Sequence, residues 1–155
     1  MRAWGAAAMT EAEMYRQIIT EAPDAIILAD RDGRIRLWNA AAVRMFGYTE
    51  AEVLGQSLDC IIPERFRERH WHGYRRVMAE GVTRYGRELL AVPAVCKDGT
   101  RLSLEFSVVL VRDALGQVAG AAALIRDVTA RWQREQALTT RLAALEARER
   151  ASSPR

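Results

Sequence analysis

Only two cysteines occur in the 155 residues, Cys60 and Cys96, far apart and in no CxxC spacing. Their scarcity excludes a disulfide scaffold and a cysteine-rich zinc site, and it fits a reducing, cytoplasmic compartment. Long hydrophobic runs are also missing. The longest, Val118 to Ile125, is eight residues, against the ~20 that a membrane helix needs. The first nine residues carry one positive charge and only a short stretch of small residues, so they read as a disordered leader and not as a signal peptide. Charge of one sign is scarce too. Twenty-three Lys+Arg against 20 Asp+Glu leave +3, too little to argue for nucleic acid. There is no internal repeat, Ser/His/Asp order, phosphate loop or apolar carboxylate pair, and so no case for an enzyme. What is present is ordinary for a globular chain: 50% hydrophobic and 28% charged residues, enough to build one core without staples.

Local signals order the chain. Thr10-Glu11-Ala12-Glu13 is a capping box, and the helix it opens ends at Pro23. Asp24 to Ala29 reads as a buried strand, Asp32-Gly33 as a turn, and Ile35 to Trp38 as its hairpin partner. Asn39 caps a helix over Ala40 to Phe46 that Gly47 ends, and Thr49-Glu50-Ala51-Glu52 opens another short one. Pro63 to Glu80 is helical, with Gly81 just past its end. Three strands follow. The first, roughly 87–97, is interrupted by Pro93, which suggests an edge or bulge. The second, Arg101 to Val111, puts Leu102, Leu104, Phe106, Val108 and Leu110 on one face. The third runs from Gln117 to Arg126. Asp127-Val128-Thr129 then leads into a long charged helix. Two hairpins separated by helices predict an α+β fold, one antiparallel sheet with helices on one face and a cavity beneath the longest of them. The divisions are 1–9 leader, 10–22 helix, 23–127 main domain, 128–150 exit helix and 151–155 tail.

From about Tyr15 to Trp132 the chain resembles the PAS domain family. The likeness is carried, in order, by Ala22-Pro23-Asp24-Ala25-Ile26, Asp32-Gly33, Trp38-Asn39-Ala40-Ala41, Phe46-Gly47-Tyr48 with Glu52-Val53-Leu54-Gly55, Ile62-Pro63, Lys97-Asp98-Gly99-Thr100 and Arg126-Asp127-Val128-Thr129. The resemblance implies a five-stranded antiparallel sheet with helices over one face, used in sensing and dimerisation, with the last motif driving the helix that follows. Members bind haem, flavins or small acids, or nothing known. Light-sensing flavin members carry Gly-x-Asn-Cys-Arg-Phe-Leu-Gln. Here the stretch is Gly55-Gln56-Ser57-Leu58-Asp59-Cys60, the photoreactive position falls on Leu58, and a cysteine adduct is excluded. Both cysteines read as buried small hydrophobes.

The two histidines, His70 and His72, share the 63–80 helix. At 100° per residue Phe66, His70, Gly73 and Val77 fall within about 60°, with Tyr74 at the margin. His70 is thus expected to face the cavity and His72 water. An imidazole with no acidic neighbour on its face suits a borderline metal, haem iron above all. The segment Ile62 to His70 also looks like the matching stretch of rhizobial oxygen-sensor kinases and of a bacterial haem-regulated phosphodiesterase. Counted from the Pro, His70 falls on their proximal haem ligand and Arg76 on a propionate-binding arginine. The gas-contacting arginine of those kinases would fall near Leu90, an apolar residue, with Arg87 as a substitute. The resemblance therefore implies haem on His70 with Arg76 near a propionate, in the cavity expected between the helix face that carries Tyr74 at its margin and the sheet face of Leu102, Leu104 and Phe106. A histidine that only packs or hydrogen-bonds, and a different ligand, stay open beside it. Arg65, Arg69, His72 and Arg76 form a basic stripe, read as a solvated face, with a receiver of propionates, phosphate or an acidic partner as the alternative. After the junction, Leu138, Leu142 and Leu145 make about one heptad, either a frayed helix or an extension of a homodimer contact. No kinase, cyclase or DNA-binding segment follows, so a piece of a larger sensor and a module acting on an effector in trans both remain. A ligand-free interaction domain is the competing class.

Overall fold

The computed structural model describes residues 9–84 and 89–152. The leader, apart from Met9, therefore lies outside the described residues, as do Arg87 and the last three positions. Helix α1 (Glu11–Glu21) starts as the sequence requires. The Thr10 hydroxyl accepts from the Glu13 backbone N–H, and the Glu13 carboxylate accepts from the N–H of Thr10. Strands β1 (Ala25–Asp30) and β2 (Ile35–Trp38) form the first hairpin, followed by α2 (Ala40–Phe46) and α3 (Glu50–Val53). A single 3-10 turn over Leu58–Cys60, capped by the Ser57 hydroxyl, precedes α4 (Glu64–Glu80). Strands β3 (Leu90–Val95), β4 (Arg101–Arg112) and β5 (Val118–Asp127) complete the sheet, and α5 (Thr129–Ser152) leaves it. The exit helix thus runs two residues past its expected end.

All neighbours in the sheet are antiparallel, in the order β2-β1-β5-β4-β3. The first strand and the last are neighbours at the centre, so the sheet closes only when the whole domain is present. Pro93 sits in β3, the edge strand, where a missing N–H is tolerated. One face carries Ala25, Ile27, Ile125 and Leu104, which pack with Trp38, Phe46, Val53 and Ile61 into the core. The Trp38 and Phe46 rings lie 5.4 Å apart, and the Trp38 indole N–H donates to the Tyr48 carbonyl.

Asn39 is the one buried polar residue of this core among the described residues. Its Oδ1 accepts from the N–H groups of Ala42 and Ile26, and its amide donates to the carbonyls of Ile19 and Asp24. One side chain therefore caps α2 and ties it to β1 and the end of α1. At the other end of the domain, Thr129 accepts from the Ser103 N–H while Val128 donates to the Ser103 carbonyl, which anchors the exit junction on β4. Beyond Thr129 every described residue of α5 is exposed, Leu138, Leu142 and Leu145 included. No helix among the described residues is long and apolar enough to cross a membrane.

Candidate functional site

Helix α4 is pinned to one end of the sheet. The Tyr74 hydroxyl donates to the Asp30 carbonyl at 2.7 Å and lies 3.2 Å from that of Ala29, both at the end of β1. The Arg112 guanidinium, at the end of β4, takes the carbonyls of Gly81 and Gly116. At this end Ala29, Ala121 and Leu110 share one rung, and Ile27, Ala123 and Val108 the next. Three of these six residues are alanine, the other three being Leu110, Ile27 and Val108. The roof is only half covered, since Met78 is the sole buried residue of α4. Phe66, His70, Gly73 and Val77, the face expected to look inward, are all partly exposed.

His70 is the unusual member of that face. Its Nδ1 is completely buried and has no hydrogen-bond partner. The ring meets the Trp71 indole edge-on, centroids 4.7 Å apart at 81°, and the Tyr74 ring at 5.8 Å. Burial pulls the His70 pKa below the ordinary histidine value, and the Asp59 charge only partly opposes this. The imidazole is therefore neutral at pH 7, the form that ligates metals. Burial, and then the Asp30 charge, raise the Tyr74 phenol above its usual range, so it stays a donor. His72 is exposed, as its position on the helix required.

Trp71, Gly33 and Asp59 were not among the site residues the sequence suggested. The Trp71 indole N–H donates to Asp59 Oδ1 at 2.7 Å, and its six-membered ring fills the space over Gly33. The only sequence signal was the glycine of the Asp32-Gly33 turn, whose φ of +74° already calls for glycine on conformational grounds. Both thiols are half-buried and burial raises their pKa values, as expected of inert cysteines; Cys96 donates to the Met45 carbonyl.

Among the described residues no three His, Cys, Asp or Glu side chains converge on a possible metal site. A lone buried imidazole suits only a metal that arrives with its other ligands. The model of the PAS fold matches residues 19–133, well over half of the chain. This chain belongs to the PAS family. An uncharacterized protein of Azorhizobium caulinodans is 35% identical over 94 residues, 60% of this chain and 13% of that protein. The sensor protein FixL of Bradyrhizobium diazoefficiens is 34% identical over 96 residues, 60% of this chain and 18% of FixL. The chain thus corresponds to under a fifth of the length of either curated relative. Among solved structures, the PAS domain of a Colwellia psychrerythraea protein superposes with a TM-score of 0.67 at 22% identity, covering 77% of this chain and 98% of that one. The PAS domain of Bordetella pertussis BvgS gives 0.61 at 20%, covering 86% and 98%. At these identities the structures show the fold: a five-stranded antiparallel PAS sheet with its helices.

Within this PAS domain the remaining sequence candidates separate. Phe106 is half-buried on the inner face, paired with Leu90 of β3, so Leu90 shares that face. Leu104 is buried against the core and Leu102 packs beside it. At ~3.3 Å per residue, Leu104 lies about 20 Å along β4 from Leu110, the residue on the Tyr74 rung. Val108 and Leu110 continue the face of Leu102, Leu104 and Phe106 toward the end of the sheet where Tyr74 is bonded. Those two were visible in the same alternation, but alternation fixes a face and not a height along the strand. Arg76 is exposed, about 120° around the helix from His70. It does not share the His70 face, and the other members of the basic stripe are exposed with it.

Proposed function

We propose that this PAS domain is the sensory and dimerisation module of a cytoplasmic signalling protein, and that His70 holds a haem. The observation that carries the reading is the buried ring nitrogen of His70 without a partner. Leaving a buried polar group unsatisfied costs about 1–3 kcal/mol, and a metal taken by Nδ1 itself would remove that cost. The fit is chemical: one neutral imidazole, with no cluster of metal-ligating side chains among the described residues, suits a metal that brings its other ligands. Haem supplies an iron centre that takes gas ligands or changes oxidation state. Val108 and Leu110, apolar and on the inner face, would help to exclude water, while Arg76 lies off the His70 face and is given no part in the site. The likeness to a sensor protein over 60% of the chain supports the signalling role. No catalytic role is assigned. Absorption spectroscopy of protein from cells fed a haem precursor tests the reading. A Soret band that shifts on reduction and on adding CO is expected. A bare protein spectrum, with haemin also failing to bind in titration, would overturn haem and favour a ligand-free interaction domain.

Dimerisation rests on the outer face of the sheet. Ile26, Leu28, Leu124, Val109 and Val111 alternate away from the core, and Val109, Val111 and Leu124 are 55%, 37% and 42% exposed. Tyr15 and Ile18 of α1 are exposed as well. An apolar patch of this kind marks an interaction surface, and a second copy of the chain, feeding an effector through α5, is its proposed occupant. Val109→Glu with Leu124→Glu is expected to convert a dimer to a monomer in sedimentation equilibrium. A dimer unaffected by the pair would rule this face out.

A further inference from the structure

We propose that Trp71 is the positioning residue of the His70 site, held by Gly33 and Asp59 so that the imidazole keeps one orientation with a nitrogen left free. The inference rests on the reading of His70 as a ligand-bearing residue. Neighbouring residues on a helix point about 100° apart, yet the Trp71 and His70 rings meet edge to face at 4.7 Å. Trp71 is brought there by contacts outside α4. A Cβ on Gly33 would lie 2.2 Å from two atoms of the indole, so the hairpin turn is a notch that only glycine leaves open. On its other edge the indole N–H is taken by Asp59 at 2.7 Å. Asp59 belongs to the 3-10 turn, whose backbone is tied to α4 as well, the Arg67 guanidinium donating to the Asp59 carbonyl.

The same bonds explain why the His70 nitrogen has no partner. The two aromatic side chains that meet the imidazole each have a single donor. The Trp71 donor goes to Asp59 and the Tyr74 donor to Asp30. Both rings therefore present carbon to the imidazole, stacking it in place without bonding its nitrogen. Three separate elements, the β1–β2 turn, the 3-10 turn and α4, meet at Trp71 to do this.

The test compares Asp59→Ala, Asp59→Asn and Trp71→Phe with the parent chain, using two measurements. The first is the NMR spectrum of the His70 ring in protein without haem. The second is haemin affinity by titration, with thermal midpoints recorded for each variant. The parent is expected to show one set of His70 ring signals and an NOE to Trp71. In Asp59→Ala the freed indole swings, the His70 signals split or broaden, and haemin affinity falls ~10–100-fold, the range for losing a residue that orients a ligand. Asp59→Asn keeps an acceptor and is expected to restore both readouts. Trp71→Phe should behave like Asp59→Ala. Unchanged ring signals and affinity in both Asp59→Ala and Trp71→Phe would overturn the positioning role. If the parent itself binds no haemin, the haem reading falls while the NMR comparison still decides whether Trp71 orients His70.

Discussion

Replacing His70 by alanine is expected to weaken haemin binding by at least about 100-fold while leaving the thermal midpoint of the unliganded protein nearly unchanged. A hundredfold is about 2.8 kcal/mol at 1.4 kcal/mol per factor of ten, a modest figure for losing the one protein bond to the iron. The second half of the prediction is the sharper one. Truncation removes ring contacts with Trp71 and Tyr74, worth ~0.5–1.5 kcal/mol each. It also removes a buried nitrogen that has no partner, which recovers ~1–3 kcal/mol. The two changes oppose, so the net effect on folding is small. A histidine held for structure would show the reverse, a fall in midpoint with affinity untouched. In the parent chain, haemin at a hundred times its dissociation constant adds about 2.7 kcal/mol of stability, or about 5–10 °C for a chain of this size. His70→Ala and the bulkier His70→Phe are both expected to erase that rise. Persistence of the thermal shift in both variants would remove His70 from the site.

The largest loss of stability is expected at Asn39, far from the site. Its side chain satisfies four backbone groups, from α1, β1 and α2, inside the core. Asn39→Ala removes a helix cap, worth typically ~1 kcal/mol, and leaves the other groups without partners at ~1–3 kcal/mol for each that water cannot reach. The sum is roughly 3 kcal/mol or more, a large part of the ~5–15 kcal/mol that holds a domain. The thermal midpoint should drop by about 6–12 °C. Asn39→Asp keeps both accepting bonds but turns an oxygen toward the Ile19 and Asp24 carbonyls, so it should recover only part of the loss. Calorimetry of the two variants checks the order. An alanine variant within about 2 °C of the parent would mean that water or a backbone shift replaces the lost bonds.

Asn39 also shows how far sequence reasoning reached. Its cap on α2 was legible, because a cap is a contract among residues three apart: Asn39 Oδ1 with the Ala42 N–H, closed by Gly47 at φ +80°. The capping boxes at Thr10 and Thr49 and the Gly81 terminus of α4 were legible for the same reason. Its three further bonds, to residues 13 to 20 positions away, were not. The 3-10 turn at Leu58–Cys60 was missed because its short span leaves no hydrophobic period to read.

The site divides along the same line. Helical periodicity by itself placed His70 on the inward face and His72 in water, and strand alternation put Phe106, Val108 and Leu110 on one face. Those are angular statements about single elements. The pairing of β1 with β5, Ala29 beside Ala121, brings the two ends of the domain together and puts two alanines on one rung. That pairing, and not the alternation, sets Val108 and Leu110 on the rungs of Ile27 and Ala29. Tertiary structure alone put Trp71 into the Gly33 notch and spent its donor on Asp59, leaving the His70 nitrogen bare. The sequence determined which side chains exist and which way each element turns them. Which donors meet which acceptors is decided only when distant segments fold against one another, because a hydrogen bond is satisfied by distance in space and is blind to distance along the chain.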